Sequence, residues 1–289
     1  MKKVGFVCVY GRANAGKSTI INKCLGFKLL PVSSKPQTTR DNVHAIYNDE
    51  DSQIVFVDTP GVFRPHGKLG SILLRDAESA KDGVDVIVYV VDASEVPNFE
   101  LADKLSKQDI PVILAFNKVD LVNAEIGESR LARYLELLPN AKVLRLSAKE
   151  GYGIEELLSM LKDYLPEGDI IFPEDIVSDR PKEYIISEII REKCMRLLKA
   201  EVPHSIYVDV KHVTEDEDME VFADIIVEKE SEKAIVIGKA GKMISEITKY
   251  SEQSIHSYFG LPVHCEFLVK AIPDWRNQDK YLRKFGYEE

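Results

Sequence analysis

A glycine-rich segment near the start of the chain carries the clearest chemistry. Residues 11–19 read G-R-A-N-A-G-K-S-T and follow the apolar run Val4–Tyr10, which is the pattern of a phosphate-binding loop between a strand and a helix. Glycines let backbone N–H groups point at phosphate oxygens, and the start of the helix adds positive charge. The residues predicted to hold the phosphates are Gly11, Arg12, Ala13, Asn14, Ala15, Gly16, Lys17, Ser18 and Thr19. We therefore expect a nucleoside triphosphate, with Lys17 at its β- and γ-phosphates and Ser18 on Mg²⁺.

Two further segments carry residues suited to the γ-phosphate and the metal. Asp58-Thr59-Pro60-Gly61 ends a predicted strand, where Asp58 can hold Mg²⁺ through water and the Gly61 N–H can contact the γ-phosphate. The polar residues 37–41 form a segment that a bound γ-phosphate and Mg²⁺ can order. We assign Thr39 as the magnesium-binding threonine, with Thr38 as the alternative. The other predicted switch residues are Gln37, Thr38, Arg40, Asp41, Thr59, Pro60 and Val62.

The base of the nucleotide is predicted from Asn117-Lys118-Val119-Asp120, which follows another predicted strand. The Asp120 carboxylate can accept hydrogen bonds from the guanine N1–H and exocyclic amino group, a donor pair that adenine lacks. Lys118 can lay its methylene stem along the base, and Ser147, Ala148 and Lys149 complete the pocket. The expected ligand is GTP or GDP.

Six apolar runs predict the strands that position these motifs. They are Val4–Tyr10, Val43–Tyr47, Gln53–Val57, Val84–Val91, Val112–Phe116 and Lys142–Leu146. Helical patterns separate most of them, so we predict an α/β fold with a mixed, mostly parallel six-stranded sheet flanked by helices. The second and third runs should form an antiparallel hairpin at one edge. Such a sheet binds its ligand at the carboxyl ends of the parallel strands.

A proline-rich, acidic stretch divides the chain. We predict a nucleotide-binding domain at 1–166, an interdomain linker at 167–181 and a second domain at 182–289. The second domain has the order α-β-β-α-β, followed by a final helix from Trp275 to Phe285. Trp275 is predicted either to stack on a base or to pack inside the domain.

A G-x-x-G sequence in the second half, Gly238-Lys239-Ala240-Gly241, is typical of KH domains, which clamp about four nucleotides there. We predict a strand at Ile235–Ile237 before this loop and a helix, Lys242–Phe259, after it. Glycines allow a nucleic-acid backbone to approach closely, Lys239 adds charge, and neighbouring isoleucines can line an apolar groove. The predicted RNA-binding residues are Ile237, Gly238, Lys239, Ala240, Gly241, Lys242, Ile244 and Arg276.

Composition narrows the class of protein. The length of 289 residues favours two domains, and the net charge of −10 argues against a chain that coats nucleic acid indiscriminately. Positive charge is local: residues 238–284 hold 8 Lys and Arg against 5 Asp and Glu, whereas 171–237 hold 9 against 17. The four cysteines form no C-x-x-C pair, the histidines form no metal cluster, and no apolar stretch approaches about 20 residues. A soluble cytoplasmic protein is expected.

The motifs together resemble the Era family of bacterial GTPases. G-R-x-N-x-G-K-S-T, P-Q-T-T-R, D-T-P-G and N-K-x-D carry the resemblance, and the second half is similar to that family's type II KH domain. The resemblance implies GTP hydrolysis, binding of small-subunit ribosomal RNA near its 3′ end, and a role in maturation of the small ribosomal subunit. It implies no DNA partner, and at most a peripheral association with the inner face of the cell membrane. Ala13 departs from the family's usual proline, with little consequence expected because proline only pre-sets φ.

The rate of hydrolysis is predicted from the residue after D-T-P-G. Many GTPases place a water-orienting glutamine there. Val62 can neither donate nor accept a hydrogen bond through its side chain, so slow intrinsic hydrolysis is expected. Resemblance to related GTPases makes Asn14 a candidate K⁺ ligand, a loop-stabilising hydrogen bond being the alternative. The ribosomal particle is a second candidate activator.

Two other functions fit parts of the sequence. A metabolic P-loop enzyme that phosphorylates a small molecule is opposed by the guanine-reading Asp120. A GTPase whose C-terminal half docks protein instead of RNA is suggested by that half's negative total charge. Local charge outweighs the total here, because screening limits the reach of a charge to roughly 8 Å.

Overall fold

A computed structural model describes residues 1–33, 35, 38–62, 65–199 and 201–287. These fold into two compact units. Unit 1 comprises Met1–Leu30, Thr39–Phe63 and Leu74–Asp179, and unit 2 comprises Pro31–Thr38, Arg64–Leu73 and Arg180–Glu289. Among the described residues, no helix has the length and apolar character needed to cross a membrane.

Unit 1 is built on a mixed sheet. Its strands are β1 (Lys2–Gly11), β2 (Val43–Asn48), β3 (Ser52–Asp58), β4 (Val86–Asp92), β5 (Val112–Asn117), β6 (Lys142–Arg145) and β7 (Glu167–Gly168). The order across the sheet is β2-β3-β1-β4-β5-β6, parallel except for the β2–β3 hairpin. The predicted mixed α/β fold and its edge hairpin are therefore confirmed. The two-residue strand β7, which pairs antiparallel with the start of β1, was not predicted.

Helices cover this sheet. They are α1 (Lys17–Leu25), the second half of α2 (Gly67–Ser79), which belongs to unit 1 from Leu74 onward, α3 (Glu100–Leu105), α4 (Ala124–Leu137) and α5 (Ile154–Tyr164). Buried apolar side chains of β1, β4 and β5, such as Cys8, Ile87 and Leu114, form the core together with residues of α3 and α4. Strands buried on both faces read as nearly continuous apolar runs, and this is why the sequence located them well.

The stretch 167–179 belongs to unit 1 and lies along its sheet. The Gln53 side chain accepts hydrogen bonds from the Ile171 and Phe172 N–H groups at 2.7 and 3.0 Å. Further along, the Ile46 N–H of β2 donates to the Val177 carbonyl at 2.9 Å. Backbone groups at the β2 edge, which would otherwise need water, are therefore paired within the chain.

Unit 2 contains a three-stranded sheet. Its strands are β8 (Tyr207–Glu215), β9 (Met219–Val227) and β10 (Val263–Ala271), and its helices are α6 (Lys182–Leu197), α7 (Val202–Ser205), α8 (Glu230–Ile237), α9 (Lys242–Phe259) and α10 (Asp279–Lys284). The central strand β9 pairs antiparallel with β8 and parallel with β10. The parallel pair requires a crossover, which α8 and α9 provide. Ile186 and Ile190 of α6 and Ile247 and Ile255 of α9 are fully buried in the core.

Two local predictions in unit 2 were wrong. Residues 235–237, predicted as a strand, are the last turn of α8. The prediction failed because three apolar residues are too few to distinguish the periodicity of a strand from that of a helix. In the structure Glu232 and Val236 are both buried, and their spacing of four residues is that of one face of a helix. The predicted helix from Trp275 to Phe285 is a 3₁₀ turn, Trp275–Asn277, followed by α10, because Gln278 is extended between them.

Candidate functional site

The site in unit 1 forms where the parallel strands end. β1, β3 and β5 run into the phosphate loop, the D-T-P-G segment and the N-K-x-D segment, and all three point the same way. β2 runs in the opposite direction, and Val43 at its start pairs with Asp58 at the end of β3. The topology thus brings residues 39–42 to the same edge of the sheet.

The phosphate loop has the backbone shape that its glycines permit. Gly11, Gly16 and Asn14 have φ values of 154°, 103° and 62°, a region that is open to glycine and tolerated by asparagine. Asn117, which is not part of the loop, stabilises it, because the Asn117 side-chain amide donates a hydrogen bond to the Ala15 carbonyl at 2.8 Å. A Cβ added at Gly16 would lie 2.2 Å from the Asn117 Nδ2 atom. Glycine is therefore required where the loop meets Asn117.

Lys17 lies beneath this loop and is buried. Its ammonium donates to the Gly11 and Arg12 carbonyls at 3.3 and 3.1 Å. Burial lowers the Lys17 pKa to about 8, while the charge of Asp58 acts in the opposite direction. Neighbouring anionic phosphates would favour the charged form of such a lysine, so this position is suited to a phosphate ligand.

Two hydroxyl side chains meet at the Asp58 carboxylate. The Asp58 Oδ2 atom accepts hydrogen bonds from the hydroxyls of Ser18 and Thr39 at 2.8 and 2.9 Å, and the two hydroxyls lie 3.2 Å apart. Asp58 is fully buried, and its Oδ1 atom makes no hydrogen bond within the part of the chain that the structure describes. Burial raises the Asp58 pKa, and Lys17 lowers it. A buried carboxylate oxygen without a donor beside two hydroxyls fits Mg²⁺, which binds oxygen ligands.

The two candidate threonines have different hydrogen-bond partners. The Thr39 hydroxyl lies at Asp58, whereas the Thr38 hydroxyl donates to the Lys35 carbonyl at 3.0 Å. Of the other switch residues, Arg40 is buried and Asp41 is partly exposed. Gln37 lies outside the described residues. Within the described ranges, no three or more His, Cys, Asp or Glu side chains are grouped so that they could hold a metal ion. The candidate metal ligands are therefore the Ser18 and Thr39 hydroxyls beside Asp58.

The segment after Asp58 lies against the phosphate loop. The buried Thr59 hydroxyl donates to the Val9 carbonyl at 2.9 Å, and the Val62 N–H donates to the Gly11 carbonyl at 3.1 Å. A Cβ added at Gly61 would lie 2.4 Å from the Ala13 Cα atom. Backbone contact at Gly61 and Val62, with Pro60 buried between them and Asp58, keeps this segment against the phosphate loop.

Asn117 also organises the predicted base pocket. Its Oδ1 atom accepts from the Ala148 N–H at 3.0 Å, so one buried side chain joins the phosphate loop to the segment Ser147–Lys149. Ser147 and Ala148 are buried, whereas Lys149 is exposed. Asp120 is exposed in a single 3₁₀ turn that follows Lys118. The exposed Asp120 carboxylate is accessible to a ligand.

Sequence reasoning did not identify Asp92, the last residue of β4. Its Oδ2 atom lies 2.5 Å from the Lys118 Nζ atom, which also donates to the Asn14 carbonyl at 2.8 Å. A carboxylate at the end of a central strand beside the other motifs was a usable signal.

The G-x-x-G loop of unit 2 is a sharp turn between α8 and α9. Gly238, Ala240 and Gly241 all have positive φ, at 73°, 53° and 75°. Lys239, Ala240 and Lys242 are exposed, and Ile237 and Ile244 on either side are partly buried. The loop thus presents backbone and positive charge next to apolar surface.

The predicted RNA-binding residue Arg276 is paired with a carboxylate. Its guanidinium forms two hydrogen bonds with the Glu228 carboxylate, at 3.0 and 2.5 Å. Trp275 is completely buried, its indole N–H donates to the Ser205 carbonyl at 2.8 Å, and its ring packs on Tyr207 and Phe285. Of the two alternatives for Trp275, packing inside the domain is the one observed.

Comparison with known proteins gives matches over the whole chain. Residues 6–118 match the family described as "50S ribosome-binding GTPase", and residues 201–276 match the "KH domain" family. GTPase Era of Clostridium kluyveri is 38% identical, and the match covers 100% of both chains. GTPase Era of Staphylococcus haemolyticus is also 38% identical, over 99% of this chain and 98% of its own.

Two solved structures share the fold over the full length. A crystal structure of Era in complex with MgGDPNP and nucleotides 1506–1542 of 16S ribosomal RNA has a TM-score of 0.95 and 35% identity, covering 100% of both chains. A variant of Aquifex aeolicus Era bound to GDP and AlF4⁻ has a TM-score of 0.93 and 35% identity, covering 99% of this chain and 100% of its own.

The contact between Gly16 and Asn117 yields a test of the site. Gly16→Ala should weaken GDP binding by about 100-fold or more, because the new methyl displaces Asn117 and with it the phosphate loop. Gly26→Ala is the matched control, since Gly26 has φ of 79° at the end of α1 but no atom within 4 Å of an added Cβ. Equilibrium titration with a fluorescent GDP measures both. Equal affinities of the two variants would contradict this description of the loop.

Proposed function

The chain belongs to the Era family of GTPases, and we propose that it couples GTP binding and hydrolysis to the binding of small-subunit ribosomal RNA near its 3′ end, in maturation of the small ribosomal subunit. The observation that carries this proposal is the presence, in one chain, of converging nucleotide motifs in unit 1 and a positively charged G-x-x-G turn in unit 2. The relative solved with MgGDPNP and 16S RNA supports the same pairing of ligands. We assign the GTP-binding domain to 1–166, the linker to 167–181 and the type II KH domain to 182–289.

The geometry of unit 1 supports the nucleotide roles that we propose. The backbone of Gly11–Thr19 binds the α- and β-phosphates, Lys17 neutralises the β- and γ-phosphates, and the Gly61 N–H meets the γ-phosphate. Asp120 reads guanine with Lys118 along the base plane. Asn117 acts by holding the two loops together, and Ser147, Ala148 and Lys149 form the remaining wall of the base pocket.

Mg²⁺ would be held by Ser18, Thr39 and, through water, Asp58. When bound, the ion neutralises charge that develops between the β- and γ-phosphates. Because Thr39 and Ser18 already converge on one carboxylate oxygen, only small movements would be needed to turn their oxygens towards the metal. Thr39 therefore links the metal to the switch segment.

The proposed link between the nucleotide site and the RNA-binding domain starts at Thr38, the residue before Thr39. Within unit 2, the Thr38 carbonyl accepts a hydrogen bond from Arg191 of α6, and the Lys35 ammonium donates to the carbonyl of Met195 on the same helix at 2.5 Å. α6 is the first helix of the proposed KH domain. A nucleotide-dependent movement at Thr39 would therefore displace Thr38, which is hydrogen-bonded to α6. The proposed switch residues are Gln37, Thr38, Arg40, Asp41, Thr59, Pro60 and Val62.

Val62 cannot orient the attacking water, so intrinsic hydrolysis is slow and an added positive charge is needed. An arginine finger in other GTPases contributes about 10³–10⁵-fold. We assign part of this role to K⁺ held by the Asn14 side-chain oxygen beside the phosphates, and part to the ribosomal particle. The left-handed backbone of Asn14 and its exposure place it at the surface of the loop.

The compartment proposed for this activity is the cytoplasm, with peripheral contact at the inner face of the cell membrane. All four cysteines are free thiols, which suits a reducing compartment.

The identity of the base can be tested at Asp120. Asp120→Asn should weaken GDP binding by about 100-fold and favour xanthosine diphosphate, because an amide donates to the xanthine C2 carbonyl and accepts from its N1–H. Competition titrations with GDP, XDP and ADP measure the preference. Retained GDP preference in this variant would remove Asp120 from the base site.

The RNA-binding role can be tested at the two glycines that cap α9. Gly241→Asp should weaken binding of an oligonucleotide from the 3′ end of small-subunit ribosomal RNA by about tenfold, because a carboxylate opposes the phosphates. Gly260→Asp makes the same change at the other end of α9, at nearly the same φ and also in open space, and should bind normally. Undiminished RNA binding by Gly241→Asp would favour a protein-docking role for this half.

The potassium assignment is tested by the rate of GTP hydrolysis. Turnover should be faster in KCl than in NaCl at equal ionic strength, and Asn14→Gly, which removes the ligand without backbone strain, should abolish the difference. Equal rates of the unmodified protein in the two salts would eliminate the cation and leave Asn14 a loop-stabilising role.

A further inference from the structure

Asp92 occupies the end of β4, between the phosphate loop and the proposed base pocket. Its side chain is 6% exposed, and its Oδ2 atom lies 2.5 Å from the Lys118 ammonium. We propose that Asp92 is a positioning residue of the guanine-nucleotide site, which orients Lys118 so that its methylene stem forms one wall of the base pocket. The inference rests on the proposed guanine-binding role of Asn117–Asp120.

The Lys118 side chain needs such a partner because the backbone conformation of Lys118 does not fix the orientation of the side chain. The residue has φ of 63° and lies outside the strand and the 3₁₀ turn that flank it. A lysine side chain carries about 2 kcal/mol of rotamer entropy. Two hydrogen-bond acceptors, the Asp92 carboxylate and the Asn14 carbonyl, hold its ammonium before any ligand binds, so less entropy is lost when the base arrives.

The Asp92 carboxylate is itself held in one orientation. Its Oδ1 atom accepts from the Ser94 N–H at 2.9 Å and from the Ser94 hydroxyl at 2.6 Å, which closes a small turn after β4. Only Oδ2 faces Lys118. Burial raises the Asp92 pKa, but the hydrogen bonds from Lys118 and Ser94 outweigh it and hold the pKa below its usual range. Asp92 is therefore an anion at neutral pH.

Because the two oxygens of the Asp92 carboxylate have different partners, one substitution can remove the acceptor for Lys118 and keep the acceptor for Ser94. Asp92→Asn keeps an oxygen for Ser94 but replaces the acceptor at Lys118 by an amide donor. GDP affinity should fall about tenfold, since charge-assisted hydrogen bonds are among the stronger ones. Because Lys118 contacts the base and not the γ-phosphate, KM for GTP should rise by a similar factor while kcat stays within about twofold.

Two other variants separate orientation of Lys118 from a general structural role. Ser94→Ala removes the hydroxyl bond to Oδ1 but keeps the bond from the backbone N–H of residue 94, so Asp92 stays oriented and GDP should bind normally. Lys118→Met keeps the stem and loses the ammonium, so Asp92→Asn should add no more than about a twofold further loss in that background. Thermal unfolding of every variant identifies any that do not fold.

The result that overturns the inference is Asp92→Asn with normal GDP affinity, or with losses that multiply with those of Lys118→Met. A further readout is the ratio of GDP to inosine diphosphate affinity. That ratio should be unchanged in Asp92→Asn, because Asp120 still reads the exocyclic amino group; a changed ratio would show that the whole segment had moved. Failure of the proposed base site itself is recognised separately, by normal GDP binding in Asp120→Asn.

Discussion

The buried carboxylate of Asp58 is the constraint on which the rest of the site depends. It ends β3, and its Oδ2 atom receives the hydroxyls of Ser18, at the start of α1, and of Thr39, in the switch segment. A fully buried carboxylate is costly unless charges or hydrogen bonds compensate it. Lys17 supplies part of that compensation, and a magnesium ion with a triphosphate would supply the rest. The energetic demand of one buried anion thus joins metal, phosphate loop and switch.

The site is organised largely before a ligand binds. Asn117 spans two loops through both ends of its amide, and Asp92 holds the lysine that follows it. These contacts need backbone conformations that ordinary residues avoid, as at Asn14 and Lys118, and such strain persists where surrounding structure holds it in place. The folded chain already holds these side chains in place, so less conformational entropy is lost when a nucleotide binds.

Much of this arrangement was predictable because its signals are local. The phosphate loop, D-T-P-G and N-K-x-D each place several residue types at fixed spacing, and buried parallel strands read as continuous apolar runs. The helix at 242–259 was bounded correctly because glycines stand at both its N-cap and its C-cap.

What escaped prediction depends on long-range contact. The apolar run 235–237 has no period of its own, and only its packing makes it helical. Trp275 could face solvent or core on sequence grounds, and its burial was settled by partners some 70 residues away in the chain. Asp92 is the last residue of the apolar strand β4, where a carboxylate is a usable signal for the site, but the sequence does not show that Lys118 lies beside it.

The central claim is that the nucleotide held at Asp58 controls RNA binding by the KH domain. Its most direct test measures the affinity of the full-length protein for a 3′-terminal small-subunit ribosomal RNA oligonucleotide with saturating GDP and with a non-hydrolysable GTP analogue. The account predicts affinities that differ at least about fivefold between the two states, with the difference lost in Thr39→Ala. Identical affinities in the unmodified protein would contradict it.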